Sequence, residues 1–197
     1  MKLVVGLGNP GIDYVWTRHN AGQIILSYFV ETLCLGQPKH NFQGDFWEAF
    51  LDGQKIGFLF PHTFMNLSGL AVAEAVNYYK LSPDDVLVIS DDVSLSFGRI
   101  RFRKNGSAGG QKGLASILGA LGTFDVSRLR IGIGTPISVP GKKINLASWV
   151  LGKFPENQQE VFPSIQTVCF DVLKLWAAGE IDIAMNMANT YRNEKTN

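Results

Sequence analysis

Apolar positions along the chain change their period several times, and the order of those changes predicts alternating strands and helices. Residues 2–7 form a short apolar run closed by glycine, which reads as a buried strand. Across residues 20–34, Ile24, Ile25, Tyr28, Phe29 and Leu33 recur at helical spacing. Segments 46–51 and 56–60 flank Asp52-Gly53, a hairpin signal that makes the sheet mixed rather than purely parallel. Residues 66–79 read as a second helix and 86–89 as another buried strand. Residues 99–103 read as a strand with Ile100 and Phe102 facing inward and three arginines facing outward. A glycine-rich loop then leads into a helix over 114–121, followed by a strand over 129–133. From Pro155 one long amphipathic helix runs through Val161, Ile165, Val168, Val172, Leu175 and Trp176, with Gly179 as its stop and a short helix beyond. The expected architecture is an α/β single domain over residues 1–191, with a twisted mixed central sheet and helices on both faces. A polar tail, 192–197, follows it.

Bulk properties narrow this picture. At 197 residues the chain can bury a full core. Its two cysteines, Cys34 and Cys169, form neither a CxxC pair nor a disulfide framework, which fits a reducing, cytoplasmic setting and no metal cluster. The opening apolar stretch is too short for a signal peptide, and no apolar run reaches the roughly 18 residues of a membrane helix, so no membrane partner is expected. The formal net charge of +1 hides a strong polarity. Between Val93 and Pro155 stand ten basic residues, Arg99, Arg101, Arg103, Lys104, Lys112, Arg128, Arg130, Lys142, Lys143 and Lys153, against the single acid Asp125. A polyanion would meet one basic face if the fold gathers them; otherwise they form a solvated rim.

The chemistry-bearing residues sit at predicted strand ends. His19, in Thr17-Arg18-His19-Asn20, follows the loop after the first strand; Asp91 and Asp92 follow Val86-Leu87-Val88-Ile89-Ser90. In an open α/β sheet both would emerge at the carboxyl edge, where ligands bind. A carboxylate bonded to one imidazole nitrogen fixes the tautomer and leaves the other nitrogen to take a proton from water. The plainer readings are a packing histidine and a turn or cap role for one aspartate. Gly6-Leu7-Gly8-Asn9-Pro10-Gly11 has GxGxxG spacing, but Pro10 and the run to His19 delay the helix and Glu31 falls inside it, against a dinucleotide site. Asn66 is either a helix N-cap or an amide able to hold a carbonyl on which negative charge develops. Ser68 has no nucleophile setting around it. Gly106-Ser107-Ala108-Gly109-Gly110-Gln111-Lys112-Gly113 is a surface turn or an anion nest, and it does not match a Walker loop. Histidine and carboxylate without a serine or cysteine nucleophile point to activated water.

Three blocks together, GLGNPGIDYVWTRHNAG (6–22), PHTFMNLSG (61–69) and DDVSLSFGRIRFRKNGSAGGQKG (91–113), with their spacing kept through RLRIGIG (128–134), resemble the bacterial peptidyl-tRNA hydrolase family over at least residues 3–152. The resemblance implies cleavage of the ester between a peptide and the terminal ribose of tRNA, by a monomer without metal or cofactor, with peptidyl-tRNA as partner. The family's catalytic histidine and aspartate fall on His19 and Asp91, and its cleft asparagines on Asn9 and Asn66. Tyr14, Phe64 and Asn66 match contacts to the peptide or tRNA terminus, and Arg103 and Arg130 match residues gripping phosphate. The chain departs from the pattern at Gln111-Lys112, where the family usually has His-Asn, and at Ser94, commonly an aspartate. Lys112, also a candidate substrate contact, would bind an oxyanion or a phosphate, or, close to His19, disfavour the imidazolium. A rival reading keeps the scaffold and RNA binding but loses hydrolysis.

Overall fold

The computed structural model describes residues 1–136 and 145–193. Lys142 and Lys143 of the basic segment lie outside them, as do residues 194–197 of the expected tail; Asn193 is buried and donates from its amide to the Tyr191 hydroxyl at 3.0 Å.

Seven strands form one sheet: β1 (Lys2–Gly6), β2 (Lys39–Asn41), β3 (Gly44–Leu51), β4 (Gln54–Pro61), β5 (Val86–Asp92), β6 (Ile100–Arg103) and β7 (Ser127–Gly132), in the order β2-β3-β4-β1-β5-β7-β6. The four central strands β4, β1, β5 and β7 run parallel, and the outer pairs are antiparallel. β1 is the topological pivot. The chain leaves it through helix α1 (Ala21–Thr32) and then β2 and β3 to reach β4 on one side, and through α2 (Ser68–Tyr79) to reach β5 on the other. A crevice at the carboxyl end of β1 follows from that reversal.

Alternation along β1 divides the core. Val4 packs with α1 and with α6 (Phe162–Ala177) and α7 (Ile181–Thr190) on one face. Leu3 and Val5 pack with α2 and α3 (Lys112–Leu121) on the other. Helices therefore cover both faces of a mixed sheet, as the pattern predicts. The first helix lies so close to the sheet that a side chain at Gly6 would bring its Cβ to 2.6 Å from Leu26 Cβ. That fit between backbone and helix needs glycine and no nucleotide.

Other elements depart from the reading in instructive ways. The long helix expected from Pro155 is interrupted: α5 (Glu156–Gln159) stops, and α6 restarts at Phe162 with Pro163 in its first turn, where the missing N–H costs nothing. The stop at Gly179, with φ of 86°, holds. Strand β5 continues through both aspartates instead of ending before them, because they are buried and partnered there. The hairpin turn is as expected, with Asp52 and Gly53 both at positive φ. Strand β2 and helix α4 (Leu146–Leu151) carry no pattern that announces them.

Each margin of the sheet is blunted. β2 is three exposed residues, Lys39-His40-Asn41. At the other margin the Asn189 side chain on α7 lies along β6, accepting from Phe102 N at 2.9 Å and donating to Phe102 O at 3.3 Å. Within the hairpin, Glu48 accepts from Lys39 at 3.1 Å, from the Tyr79 hydroxyl at 3.1 Å, and pairs with Lys55. The Lys55 bond, ahead of the others, holds the Glu48 carboxyl down at about 2. Burial and this carboxylate push the Tyr79 phenol up to about 12. A carboxyl depressed on folding stabilises the protein above its ordinary value of 4.5, and that contribution fades as pH falls toward 2. Thermal melts of Glu48→Gln should therefore lie below wild type near neutral pH and converge with it on acidification. A constant gap would contradict the assignment.

Candidate active site

The pivot at β1 builds a cavity of about 550 Å³. Beyond Gly6 the chain makes two short helical turns, Ile12–Tyr14 and Arg18–Asn20, before α1 begins. This detour hangs His19 over the end of β5. His19 Nδ1 lies 3.0 Å from both oxygens of Asp91, with the histidine side chain 12% and the aspartate 3% exposed. Two groups 72 residues apart in sequence thus share one proton-holding contact. Because Nδ1 is engaged, Nε2 is the nitrogen left to accept a proton.

Successive residues of β5 face opposite sides of the sheet, so its two aspartates do different work. Asp91 faces His19. Asp92 pairs with Arg130 at 2.8 Å and accepts from Ser94 N at 2.8 Å and Ser94 Oγ at 2.7 Å. The turn reading is thus right for Asp92 and wrong for Asp91.

The asparagines are held by a relay from the first loop. Asn20 clasps the backbone of Asn9, accepting from its N–H at 2.9 Å and donating to its carbonyl at 3.0 Å. Asn9 in turn uses its side-chain oxygen to accept from Met65 N at 3.2 Å. The Asn9 amide nitrogen is thereby left to donate into the cavity. Asn66 is not a helix cap: residues Met65–Leu67 form a separate helical turn, α2 starts after Leu67, and the exposed Asn66 lines the cavity with Phe64.

Gln111 caps α3, its side-chain oxygen accepting from Leu114 N at 2.7 Å. Its amide nitrogen donates to Asp91 Oδ1 at 3.0 Å. Lys112 and Arg130 line the same cavity. The Lys112 side chain makes no hydrogen bond or ion pair with any described residue, whereas Arg130 is tied to Asp92. Tyr14 and Arg103 lie outside the lining: Tyr14 gives its carbonyl to Thr17, and Arg103 stands exposed at the end of β6.

The opposite wall is apolar, formed by Leu146, Ala147, Val150 and Leu151 of α4 together with Val93. It is anchored beside the histidine. Arg18 N donates to Gly152 O at 3.0 Å, and the Arg18 guanidinium stacks 3.7 Å over the Trp149 ring. Burial lowers the pKa of Arg18.

Among the described residues, the basic segment divides between side chains that face outward and side chains that hold backbone. In β6 and β7, Arg101 stands opposite Arg130 and Arg103 opposite Arg128, so these four share a face. Arg128, however, is 2% exposed and donates to the carbonyls of Val126, Gly106, Ser107 and Phe124. It fastens the 104–111 loop and cannot touch a polyanion. Arg99 reaches the Asn189 carbonyl. What remains outward from this face is Arg101, Arg103 and Lys104, with Lys112 at the cavity.

Sequence reasoning missed Asn20, Gln111 as a partner of Asp91, and the whole α4 wall. Asn20 is legible only as a polar residue wedged between His19 and an apolar helix. Gln111 stands where a cap belongs, but nothing in the sequence says what its amide meets.

A mixed α/β sheet whose pivot crevice holds an imidazole on a buried carboxylate beside three side-chain amides, with no serine or cysteine among the described lining residues, defines the class of α/β protein with a histidine–carboxylate cleft. The peptidyl-tRNA hydrolase family model matches residues 3–196. A peptidyl-tRNA hydrolase of Rhodopirellula baltica is 43% identical over 189 residues, covering 96% of this chain and 97% of the relative. Another from Desulfitobacterium hafniense is 43% identical over 190 residues, covering 96% of this chain and all of the relative. The crystal structure of peptidyl-tRNA hydrolase from Acinetobacter baumannii superposes with a TM-score of 0.89 at 33% identity, over 98% of this chain and 96% of that one. The chain belongs to the peptidyl-tRNA hydrolase family.

Proposed function

We propose that this protein hydrolyses the ester joining a peptide, or an N-blocked aminoacyl group, to the 3′-terminal ribose of tRNA, and so returns tRNA to translation. The observation that carries this reading is the His19–Asp91 contact at 3.0 Å inside a cavity lined by amides. Water beside Nε2 gives its proton to His19 as its oxygen attacks the ester carbonyl. Asp91 holds the ring tautomer and offsets the charge on the imidazolium. The Asn66 amide donates to the carbonyl oxygen as it becomes negative. Collapse breaks the bond between the acyl carbon and the ribose oxygen, and the imidazolium gives its proton to that departing oxygen, which leaves as the ribose hydroxyl. Asn9, fixed by Asn20 and Met65, presents its N–H₂ to the peptide side, where an amide carbonyl accepts and a free ammonium does not. Phe64 and the α4 wall hold the apolar parts of the substrate, with Tyr14 at the rim.

The tRNA lies along the outward side chains of Arg101, Arg103 and Lys104, with Arg130 and Lys112 at its 3′ end. The neutralised Arg130 orients; the unpaired Lys112 supplies the net charge for a terminal phosphate. Lys112→Gln should raise KM and flatten the slope of log affinity against log salt by about 0.7–0.9, the contribution of one phosphate contact. An unaltered slope would remove Lys112 from the phosphate site. The protein works as a single-domain monomer in the cytoplasm and needs no cofactor. No helix among the described residues is long and apolar enough to cross a membrane.

The direct test is incubation with N-blocked aminoacyl-tRNA beside unblocked aminoacyl-tRNA. Release of the blocked amino acid, with the unblocked ester largely spared, is the expected result. Binding of tRNA with both esters intact would instead make the protein an RNA binder.

A further inference from the structure

We propose that Gln111 is a positioning residue for the His19–Asp91 pair, a fixed neutral donor that holds the carboxylate in register; this rests on the reading of His19 as the base that activates water. The geometry gives the side chain two simultaneous contacts at its two ends. Its oxygen accepts from Leu114 N at 2.7 Å, the first-turn bond that starts α3. That bond settles which end of the amide is which, because only an oxygen can accept from a backbone N–H. The nitrogen is consequently aimed at Asp91 Oδ1, 3.0 Å away, and at Met65 Sδ, 3.4 Å away. Asp91 Oδ1 thus receives two donors, His19 Nδ1 and Gln111 Nε2, at equal distance.

The consequence is both geometric and electrostatic. Asp91 is 4% exposed, so water cannot take over the work of orienting it. The carboxylate is pinned between the turn that carries His19 and the helix that carries Gln111, and Gln111 is in turn set by the helix backbone. A carboxamide does not titrate between acid and mild alkali, so this support stays the same across the range in which the imidazole changes charge. A basic side chain at the same place would make it vary with pH. The other charged groups around the cavity are Asp92, tied to Arg130, and Lys112 on α3. Arg18, next to His19, stacks on Trp149 instead.

Gln111→Glu separates positioning from mere capping. A glutamate oxygen can still accept from Leu114 N, so the helix start survives, and any fall in melting temperature reads the new carboxylate pair and not the loss of the cap. The donor to Asp91 is lost, and a second negative charge faces it. With N-blocked aminoacyl-tRNA, kcat should fall about tenfold or more as alignment is lost, with KM little changed. The rising limb of the kcat/KM profile should move to higher pH, since an added carboxylate favours the protonated imidazole. The same displacement should appear without substrate, in an NMR titration of His19, one of only three histidines in the chain. Gln111→His, able to donate to Asp91, should restore much of kcat while adding a second titration to the profile. If Gln111→Glu is poorly folded, Gln111→His still decides the matter: wild-type kcat with an unchanged profile overturns the proposal. An unshifted His19 titration and unchanged kcat in Gln111→Glu overturn it equally. Wild-type protein that leaves the ester intact would refute the functional reading, while the His19 titration would still judge the role of Gln111.

Discussion

His19→Ala is expected to lower turnover of N-blocked aminoacyl-tRNA by roughly 10²–10⁴, the range attributable to a positioned general base. Its affinity for tRNA should hardly change, because in the proposed complex the phosphates meet arginine and lysine side chains and not the imidazole. His19 contributes little to the core, with 12% of its side chain exposed, so the loss of stability should be limited to what the buried Asp91 carboxylate loses with one donor, about 1–3 kcal/mol, while Gln111 still donates to it. Asp91→Asn makes a sharper version of the same point. An asparagine there can turn its nitrogen toward Nδ1, forcing the proton onto Nε2 and leaving no base to accept from water. Steady-state kinetics and a filter-binding titration on both variants check this. Full turnover in either one would dismiss the water-activation mechanism.

Replacing Arg128 is expected to be the most damaging change outside the His19–Asp91 pair, and for a different reason. Its guanidinium is buried, with its pKa lowered first by burial and then by Arg130, and it donates to four backbone carbonyls. In Arg128→Ala the carbonyls of Gly106 and Ser107 lose the donor that fastens them. At about 1–3 kcal/mol for each polar group left unsatisfied, a loss near 3 kcal/mol is expected. Because the same loop leads to Gln111, kcat should fall as well. Denaturant unfolding measures the first effect and the hydrolysis assay the second. The salt dependence of tRNA binding should be unaffected, in contrast to Arg103→Gln, which should weaken binding and reduce the salt slope while leaving stability alone. A stable Arg128→Ala with a reduced salt slope would return this arginine to the RNA surface.

Period and punctuation made most of the sheet legible. Apolar runs at residues 2–7 and 86–89 could hardly be anything but buried strands, and Asp52-Gly53 at positive φ turned the hairpin where a turn signal stood. Apolar pattern is silent about elements held by something else. β2 is Lys-His-Asn, polar throughout, and exists because β3 offers it a partner. The break between α5 and α6 leaves the apolar spacing intact, so only Pro163 marked it. Charge misled in a related way: sequence counts Arg128 and Arg103 alike, whereas register puts them opposite each other and the covering loop buries one. At the site, the position of two strand ends at one edge of an α/β sheet made His19 and one of the two aspartates legible, and the choice of Asp91 over Asp92 came from the family resemblance. The Asn20–Asn9–Met65 relay and the Gln111 contact were not, since both depend on rotamers that no spacing encodes.

The amide of Asn189 has a meaning beyond local packing. A sheet margin with unmet backbone groups is an invitation for another chain to add itself as the next strand. Here the outward N–H and carbonyl at the centre of a four-residue strand are already taken by a side chain that offers no ladder of its own. The far margin is three residues long and carries a lysine. Among the described residues both borders are therefore poor templates for growth, which should slow strand addition in a crowded preparation of this protein.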